Sequence, residues 1–234
     1  MKKIEISTSF KKLLADVFTP VGIYLRLRDR FRDTILLEST DFHAGENSYS
    51  FIGINAIAGI EIINPQEIEF KLPGKNPEKI KIDKTNSITT HLGNFMQLFQ
   101  VKEVAKKPVS IAQGLFGYTT YDAIQFFDAI NLSASKVSPL GGDLPTGQAG
   151  LEGAVPLMRY RLYQYVIAVN HFKDELFICE NHISNIISES DVVESLIKSK
   201  DVPTYSFKIR EKETSSITDT EYIEMVKKGI TSCH

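Results

Sequence analysis

Short runs of β-branched and aromatic residues, separated by turn-forming residues, dominate the part of the chain between residues 34 and 82. They lie at residues 35–37, 49–52, 56–63, 68–72 and 79–82, and Asn-Pro and Pro-Gly pairs punctuate the later ones. Runs of this length and composition predict β-strands, and their short connections predict antiparallel neighbours. Charged residues alternate with apolar ones in the later runs, so we expect one face of those strands to be exposed to solvent.

A hairpin and several helices complete the predicted fold. Residues 157–169 and 175–180 read as two strands joined by a turn at residues 170–174. Apolar residues at helical spacing predict helices at residues 10–18, 88–101 and 191–197, with Thr19-Pro20 interrupting the first before it resumes at residues 21–27. Strands outnumber helices and no β-α-β alternation is present. We therefore predict an α+β fold of mostly antiparallel sheet layers with flanking helices.

Two glycines interrupt the segment at residues 111–128, which predicts a strand followed by a short amphipathic helix. Gly114 and Gly117 have no Cβ, so we expect both to allow another element to approach the backbone closely. The pair matches neither a P-loop nor a dinucleotide-binding fingerprint, which excludes phosphate binding here.

The composition is that of a globular protein without a strong charge. The 234 residues are 42% hydrophobic, and 27 Lys and Arg against 29 Asp and Glu give a formal charge of -2. Such a balance does not concentrate nucleic acid or bind an anionic membrane. No apolar run approaches the roughly 20 residues that span a bilayer, and the basic start lacks the apolar core of a signal peptide. We expect a cytoplasmic protein with no nucleic-acid or membrane partner.

The residue types that carry catalysis or bind metals are scattered. Cys179 and Cys233 lack zinc-ligand spacing and cannot form a disulfide framework, so we expect both to be reduced. There is no HExxH or GxSxG motif, and no pair of carboxylates lies in a recognisable frame. We predict no catalytic residue and no metal ligand in this chain. The histidines are His43, His91, His171, His182 and His234.

A carboxylate and a hydroxyl follow the first run of the segment at residues 34–53. Glu38 is an anionic acceptor, Ser39 can donate or accept a hydrogen bond, and a polar segment with Asp41, His43 and Glu46 comes next. Strand ends that face a loop often present polar groups to a small ligand, and this pair would suit the ammonium group of an amino acid. The alternative is that the two residues only end a strand in solvent.

Four segments, in order, resemble the amino-terminal half of the large subunit of anthranilate synthase, component I. They are LLES at residues 36–39, SYSFIG at 48–53, GLFGYTTYD at 114–122 and PLMRYRLYQYVIAVNHFKDELFICEN at 156–181. The resemblance implies a layered pair of large sheets with flanking helices. It also implies a lyase family that converts chorismate and glutamine-derived ammonia to anthranilate and pyruvate, the first step of tryptophan biosynthesis. This family uses Mg²⁺ and a glutamine amidotransferase subunit, component II.

The resemblance further implies a site for L-tryptophan, the allosteric feedback inhibitor. Carried over to this chain, the site residues are Leu37, Glu38 and Ser39, with Tyr49 and Ser50 as further candidates on the facing strand. Relatives often have a basic residue near Ser48 and Tyr49, and this chain has none there.

The resemblance divides the chain into two parts. Residues 1–200 would form the regulatory domain, with a Gly/Pro-rich insertion at 135–154 that reads as a linker, a lid or an incidental loop. Residues 201–234 would be a linker and the first helix of a truncated chorismate-binding domain. Thr218 and Glu221 form a predicted capping box, and Tyr222, Val226 and Ile230 form an apolar stripe. The Mg²⁺ ligands and catalytic residues would then be missing, and we expect the chain alone to be inactive.

Two alternatives remain open. A para-aminobenzoate synthase component would make 4-amino-4-deoxychorismate, so product analysis of a full-length version separates it from anthranilate synthase. A non-catalytic amino-acid-binding module would have a stop codon directly after His234, whereas a synthase gene would continue in frame.

Overall fold

The computed structural model describes residues 3–39, 48–82, 87–128, 155–201, 203–204, 206–208 and 215–232. The chain divides into two compact units, Met1–Val202 and Pro203–His234. The predicted insertion at residues 135–154 and the polar segment at residues 40–47 lie outside the described residues. None of the helices within the described ranges is long and apolar enough to span a bilayer.

The described part of the first unit is built on one mostly antiparallel sheet. Its strands follow the order β5-β4-β3-β8-β9-β1-β6, while β2 pairs with β3 and β7 pairs with β8. Of these pairs, β1 and β6 are parallel. The predicted α+β class is confirmed. The strands are β1 (Ile4–Leu14), β2 (Ile35–Leu37), β3 (Tyr49–Asn64), β4 (Glu67–Lys71), β5 (Glu78–Lys81), β6 (Phe99–Val101), β7 (Phe116–Thr119), β8 (Met158–Asn170) and β9 (Glu175–His182).

The long strands β3 and β8 form the centre of the sheet. The runs predicted at residues 49–52 and 56–63 are one strand of 16 residues, which pairs with β8 along most of its length. Asn55 has a φ of 57°, and the register shifts between Ala56 and Ala58, so a local irregularity replaces the predicted break. The predicted meander of β3, β4 and β5 and the predicted hairpin of β8 and β9 are both confirmed.

The helix predicted at residues 10–18 is wrong, because β1 continues through Leu14. It pairs antiparallel with β9 from Ser7 to Leu14, so the sheet satisfies its backbone groups. Phe10 and Leu14, two members of the predicted apolar stripe, are 56% and 71% exposed. Thr19 and Pro20 begin the helix α1 (Pro20–Leu27): the Gly22 N–H donates to Thr19 Oγ1 at 3.0 Å, and proline suits the first helical position.

The remaining helices of this unit are α2 (Ile88–Gln97), α3 (Val109–Ala112) and α4 (Ser190–Lys198), with a 3₁₀ helix at Tyr121–Phe126. The predicted helix at 191–197 is confirmed, and the one at 88–101 ends earlier because Phe99 belongs to β6. Phe95 is buried, whereas Met96 is exposed rather than part of the core.

The two glycines of the 111–128 segment differ. Gly117 lies in β7, and a Cβ there would stand 1.8 Å from the carbonyl oxygen of Arg159, which confirms the expected close approach. For Gly114 the expectation of a strand position was wrong. This residue follows α3, and a Cβ added to it would lie 3.3 Å from the nearest atom, the Ile111 carbonyl oxygen.

Alternation along the strands divides the core between the two faces of the sheet. One face carries Ile52, Ile54 and Tyr165 against α1 and α4. Another cluster holds Phe51, Phe116, Tyr163, Val166 and Cys179, together with α3. The thiol of Cys179 is buried, and burial raises its pKa to about 12, so it is an unreactive core residue.

The second unit contains the helix α5 (Asp219–Ser232). The Thr218 N–H donates to Glu221 Oε2 at 2.7 Å, and the Glu221 N–H donates to Thr218 Oγ1 at 3.3 Å, which confirms the capping box. Tyr222, Val226 and Ile230 are exposed on this helix.

Candidate functional site

The first candidate site lies where β2 ends beside the start of β3. Leu37 is the last paired residue of β2 and stands opposite Phe51 in the antiparallel register. Glu38 and Ser39 follow immediately, the first exposed and the second half-buried. Because Glu38 is exposed, its carboxylate can accept hydrogen bonds from an added group.

Three serines and a histidine form a connected cluster at the residue that follows Glu38 and on the neighbouring strands. The Ser39 N–H donates to Ser50 Oγ at 3.3 Å, and the Ser48 hydroxyl donates to Ser39 Oγ at 3.3 Å. His171 Nε2 lies 2.7 Å from Ser50 Oγ, and the His171 N–H donates to the Ser48 carbonyl oxygen at 3.0 Å. The cluster fixes the hydroxyls at the end of the β2–β3 ribbon. We call Ser39, Ser48, Ser50 and His171 the hydroxyl cluster.

An apolar patch lies on the same ribbon and consists of Leu37, Tyr49 and Phe51. The Tyr49 and Phe51 rings stack at 5.9 Å between centroids, and Phe51 in turn contacts Phe116 at 5.8 Å. Asn170 Nδ2 donates to the Tyr49 hydroxyl at 3.0 Å and so holds the outer ring. Leu37 remains 39% exposed. The patch lies on the face of the sheet opposite to the Ser50 side chain, because neighbouring residues of a strand alternate between faces.

The structure thus groups most of the predicted site residues. Ser39 and Ser50 share a hydrogen bond, Leu37 and Tyr49 contribute to the apolar patch, and Glu38 stands beside both groups in the sequence. Sequence reasoning missed Phe51, Ser48 and His171. Phe51 and Ser48 had a signal, since they flank predicted residues on a predicted strand. No sequence signal pointed to His171. This residue is 121 positions from Ser50 in the chain, and only the pairing of Tyr49 with Asn170 brings the two together.

A second constellation lies on β3 and β8, where one carboxylate meets two guanidinium groups. Arg159 donates from Nε to Glu61 Oε2 at 2.8 Å and from Nη2 to Glu61 Oε1 at 3.2 Å. The Nη2 group of Arg161 also donates to Glu61 Oε2. Glu61 and Arg161 are each only 7% exposed.

The charges in this constellation stabilise one another. Burial alone would raise the pKa of Glu61, but the hydrogen bonds from Arg159 and Arg161 outweigh it and hold that pKa below its ordinary value. The hydrogen bond to Glu61 likewise raises the pKa of Arg159, although burial opposes it. Glu61 and Arg159 are therefore charged at neutral pH. We call Glu61, Arg159 and Arg161 the arginine cluster.

Neither constellation is a metal centre. Within the described ranges, no group of three or more His, Cys, Asp or Glu side chains could hold a metal ion. The hydroxyl cluster offers hydroxyl and imidazole groups, and the arginine cluster offers two guanidinium groups and a single carboxylate. Neither set suits Mg²⁺, which prefers carboxylates and water.

One curated relative agrees with the resemblance seen in the sequence. No protein-family model matches the chain. Anthranilate synthase component 1 of Methanothermobacter marburgensis is 24% identical over 213 residues, which cover 88% of this chain and 37% of the relative. A crystal structure of anthranilate synthase component I from Streptococcus pneumoniae TIGR4 matches with a TM-score of 0.38 and 19% identity, over 80% of this chain and 35% of that one.

The fold is α+β and mostly antiparallel, and the predicted relationship to anthranilate synthase component I is confirmed by the curated relative. The chain spans little more than a third of that relative's length, since the match covers 37% of it.

Proposed function

We propose that this chain is the tryptophan-sensing, amino-terminal part of an anthranilate synthase component I. In the proposed enzyme, chorismate and ammonia from glutamine give anthranilate and pyruvate. The main support is the similarity to anthranilate synthase component 1 over 88% of the chain. Second support comes from the end of β2, where an exposed carboxylate, a cluster of hydroxyls and an apolar patch lie within one short ribbon.

Each part of this ribbon suits one part of L-tryptophan. The ammonium group would donate to the Glu38 carboxylate, a charge-assisted hydrogen bond of the stronger kind. The indole ring would stack on the apolar patch of Leu37, Tyr49 and Phe51, since aromatic pairs favour offset stacking. The Ser39 hydroxyl would hydrogen-bond to the amino-acid end of the ligand, in the position that Ser48 and Ser50 give it.

Inhibition requires more than binding. Tryptophan must bind an inactive arrangement of the whole enzyme more tightly than the active one, because a ligand with equal affinity for both shifts nothing. A coupling free energy of about 1 to 3 kcal/mol between the two sites is typical and would suffice. In this proposal the ribbon supplies the contacts to the ammonium group and the indole ring, and the part of the enzyme that this chain does not span supplies further contacts.

Mg²⁺ and the glutamine amidotransferase subunit belong to the same proposal. In the proposal, Mg²⁺, the catalytic residues and the activity itself belong to the rest of the enzyme. No step of the reaction is assigned to residues of this chain.

The decisive experiment fuses residues 1–234 to the catalytic portion of the Methanothermobacter marburgensis relative and measures inhibition by L-tryptophan. Ser39→Phe removes the hydroxyl and places a bulky ring next to Glu38, and we expect it to raise the inhibitor concentration for half inhibition by at least about tenfold. The rate without inhibitor should stay the same, because Ser39 touches no reacting atom in the proposal.

Ser7→Phe is the matched control, since Ser7 is an exposed serine on β1. This variant should be inhibited like the wild type. If Ser39→Phe is also inhibited like the wild type, the assignment of the tryptophan site is wrong. If a full-length version of this protein makes 4-amino-4-deoxychorismate rather than anthranilate, the branch assignment is wrong.

A further inference from the structure

A small cavity lies beside the arginine cluster and contains none of the proposed tryptophan-site residues. Its volume is about 140 Å³, and β2, β7 and β8 contribute its walls. A cavity of similar size, about 150 Å³, admits a molecule such as benzene. The space therefore suits a single aromatic ring rather than a larger metabolite. Its lining includes Asp33, Ile35, Phe116, Arg159, Arg161 and Tyr163.

Aromatic and aliphatic side chains form most of the wall. The Phe116 and Tyr163 rings meet edge to face, with 6.3 Å between their centroids and 67° between their planes, and Ile35 packs in the same cluster. Gly53 makes room for the Tyr163 ring, because a Cβ there would lie 2.6 Å from it. An aromatic ligand can pack against such rings in the same geometry, and it gains from leaving water.

The Tyr163 hydroxyl is an unused donor in this wall. Tyr163 is only 3% exposed, and no described residue accepts a hydrogen bond from its hydroxyl. Within the described ranges, the unpaired polar side-chain atoms that are sealed from solvent belong to Arg26, His91 and Arg161, and not to Tyr163. The Tyr163 hydroxyl therefore keeps accessible surface, and its residue lines the cavity.

This hydroxyl favours a ligand that carries a hydrogen-bond acceptor. Burial raises the pKa of Tyr163, so the hydroxyl stays protonated at neutral pH and can donate. A buried hydroxyl that donates to nothing is costly, and an acceptor on the ligand would restore the missing hydrogen bond.

The charged groups of the lining already have partners. The Asp33 carboxylate pairs with Lys71 at 3.3 Å. Arg159 and Arg161 both pair with Glu61. A charged ligand would lose its hydration without meeting a free counter-ion, since Asp33 repels an anion and the guanidinium groups repel a cation. A neutral ligand avoids both costs, and the two oxygens of Asp33 can still accept a hydrogen bond from it.

We propose that this cavity binds a small neutral phenol. The phenol oxygen accepts from the Tyr163 hydroxyl, the phenol hydroxyl donates to Asp33, and the ring packs against Ile35 and Phe116. A phenol has a ring of the size of benzene, a hydroxyl that both donates and accepts, and a pKa of about 10 that keeps it neutral. The inference is independent of the proposed function, because it concerns different residues and a different class of ligand.

The test titrates the full 234-residue chain with phenol and follows the methyl signals of isoleucine by ¹³C–¹H NMR. We expect the Ile35 signals to shift in a saturable manner at roughly millimolar phenol, the affinity of a ligand with so few atoms. The Ile80 signals are the internal control, because Ile80 is exposed on β5 and lies outside the lining. They should not move.

Two variants test the role of the hydroxyl. Tyr163→Phe keeps the ring, and the same titration should show phenol binding about three- to tenfold more weakly, the loss of one hydrogen bond between neutral groups. Tyr160→Phe is the matched control, since Tyr160 lies on the same strand but outside the lining, and its hydroxyl pairs with Thr119. This control should bind phenol like the wild type.

Two other ligands test the same assignment on the wild-type chain, so the result does not depend on the folding of a variant. Fluorobenzene has nearly the shape of phenol but no hydroxyl, and it should bind about three- to tenfold more weakly. Benzoate carries a negative charge, and it should bind at least about tenfold more weakly than phenol.

Three results would overturn the inference. If the Ile35 signals show no saturable shift up to about 50 mM phenol, the cavity is not a site for this class of ligand. Equal shifts of the Ile35 and Ile80 signals would reveal a general solvent effect. Fluorobenzene or benzoate binding as tightly as phenol would show that neither the Tyr163 hydroxyl nor the paired charges select the ligand.

Discussion

At Gly117 the backbones of β7 and β8 approach so closely that no side chain fits. A Cβ there would lie 1.8 Å from the Arg159 carbonyl oxygen and 2.7 Å from its carbonyl carbon. These are backbone atoms of a central strand, so they cannot rotate away as the end of a flexible side chain could. Because the same strand segment carries Arg159 and Arg161, the approach at Gly117 also positions the arginine cluster.

We therefore expect Gly117→Ala to lower the free energy of unfolding by more than about 2 kcal/mol, the range of overpacked core sites. Urea denaturation followed by circular dichroism measures this. Gly93→Ala is the matched control, since Gly93 lies in α2 with open space around a new Cβ. It should stabilise the chain by about 0.5 to 1 kcal/mol. Equal stabilities of the two variants would refute the close approach.

Glu61 makes the stability depend on pH. Its pKa in the folded chain is held below the ordinary value of 4.5, so its contribution is fully present above that value and is lost as the pH falls through the folded pKa. Glu61→Gln should cost about 3 kcal/mol at pH 7, because it leaves two guanidinium groups without a carboxylate. The difference in the free energy of unfolding between Glu61→Gln and the wild type should shrink below pH 4.5, as measured by urea denaturation at several pH values. Glu78→Gln, at an exposed glutamate of β5, should change stability by less than about 0.5 kcal/mol at either pH.

At the scale of elements, the strands of the meander and the β8–β9 hairpin could be predicted from the sequence, because turn-forming residues bound each of them. The capping box of α5 could be predicted too, since it depends on only two residues three positions apart. The first strand could not. Phe10, Leu13 and Leu14 have helical spacing, and only the distant partner β9 turns them into a strand.

Local sequence patterns predict only part of the candidate site. Leu37, Glu38 and Ser39 are contiguous in the sequence, and resemblance to a known family singles them out. His171 joins them only through the register of β3 with β8, which the local pattern does not contain. The arginine cluster was likewise missed, because Glu61 is about 100 residues from Arg159 and Arg161 and looks like one more charge on a strand.

The capping box of α5 leads to a prediction at this scale. Thr218→Ala removes the acceptor for the Glu221 N–H and the hydroxyl that also donates to the Glu221 carboxylate at 2.8 Å. We expect the first turn of α5 to fray, with amide exchange of Glu221 and Tyr222 roughly fivefold faster by NMR. Thr231→Ala, at the other end of the same helix, should leave the exchange of these amides unchanged. Unchanged exchange in Thr218→Ala would show that the capping box does not stabilise the helix.

At the scale of the whole molecule, the exposed apolar face of α5 favours self-association. Tyr222, Val226 and Ile230 recur at four-residue spacing and are each more than 40% exposed. We expect the chain to self-associate as its concentration rises. Sedimentation velocity should show less association for Val226→Glu than for Lys228→Gln, which changes the net charge equally on the opposite side of the helix. Equal association of the two variants would exclude the apolar face as the cause.

The central claim is that the end of β2 receives L-tryptophan, and the chain is well suited to a direct measurement because it contains no tryptophan of its own. Selective excitation of the indole then reports the ligand without a background from protein tryptophan. We predict a saturable change in ligand fluorescence when the wild-type chain is added to L-tryptophan, an affinity at least about tenfold lower for Glu38→Gln, and no loss for Glu78→Gln. A ligand fluorescence that stays constant or does not saturate as protein is added would contradict the claim. Equal binding by Glu38→Gln and the wild type would also contradict it.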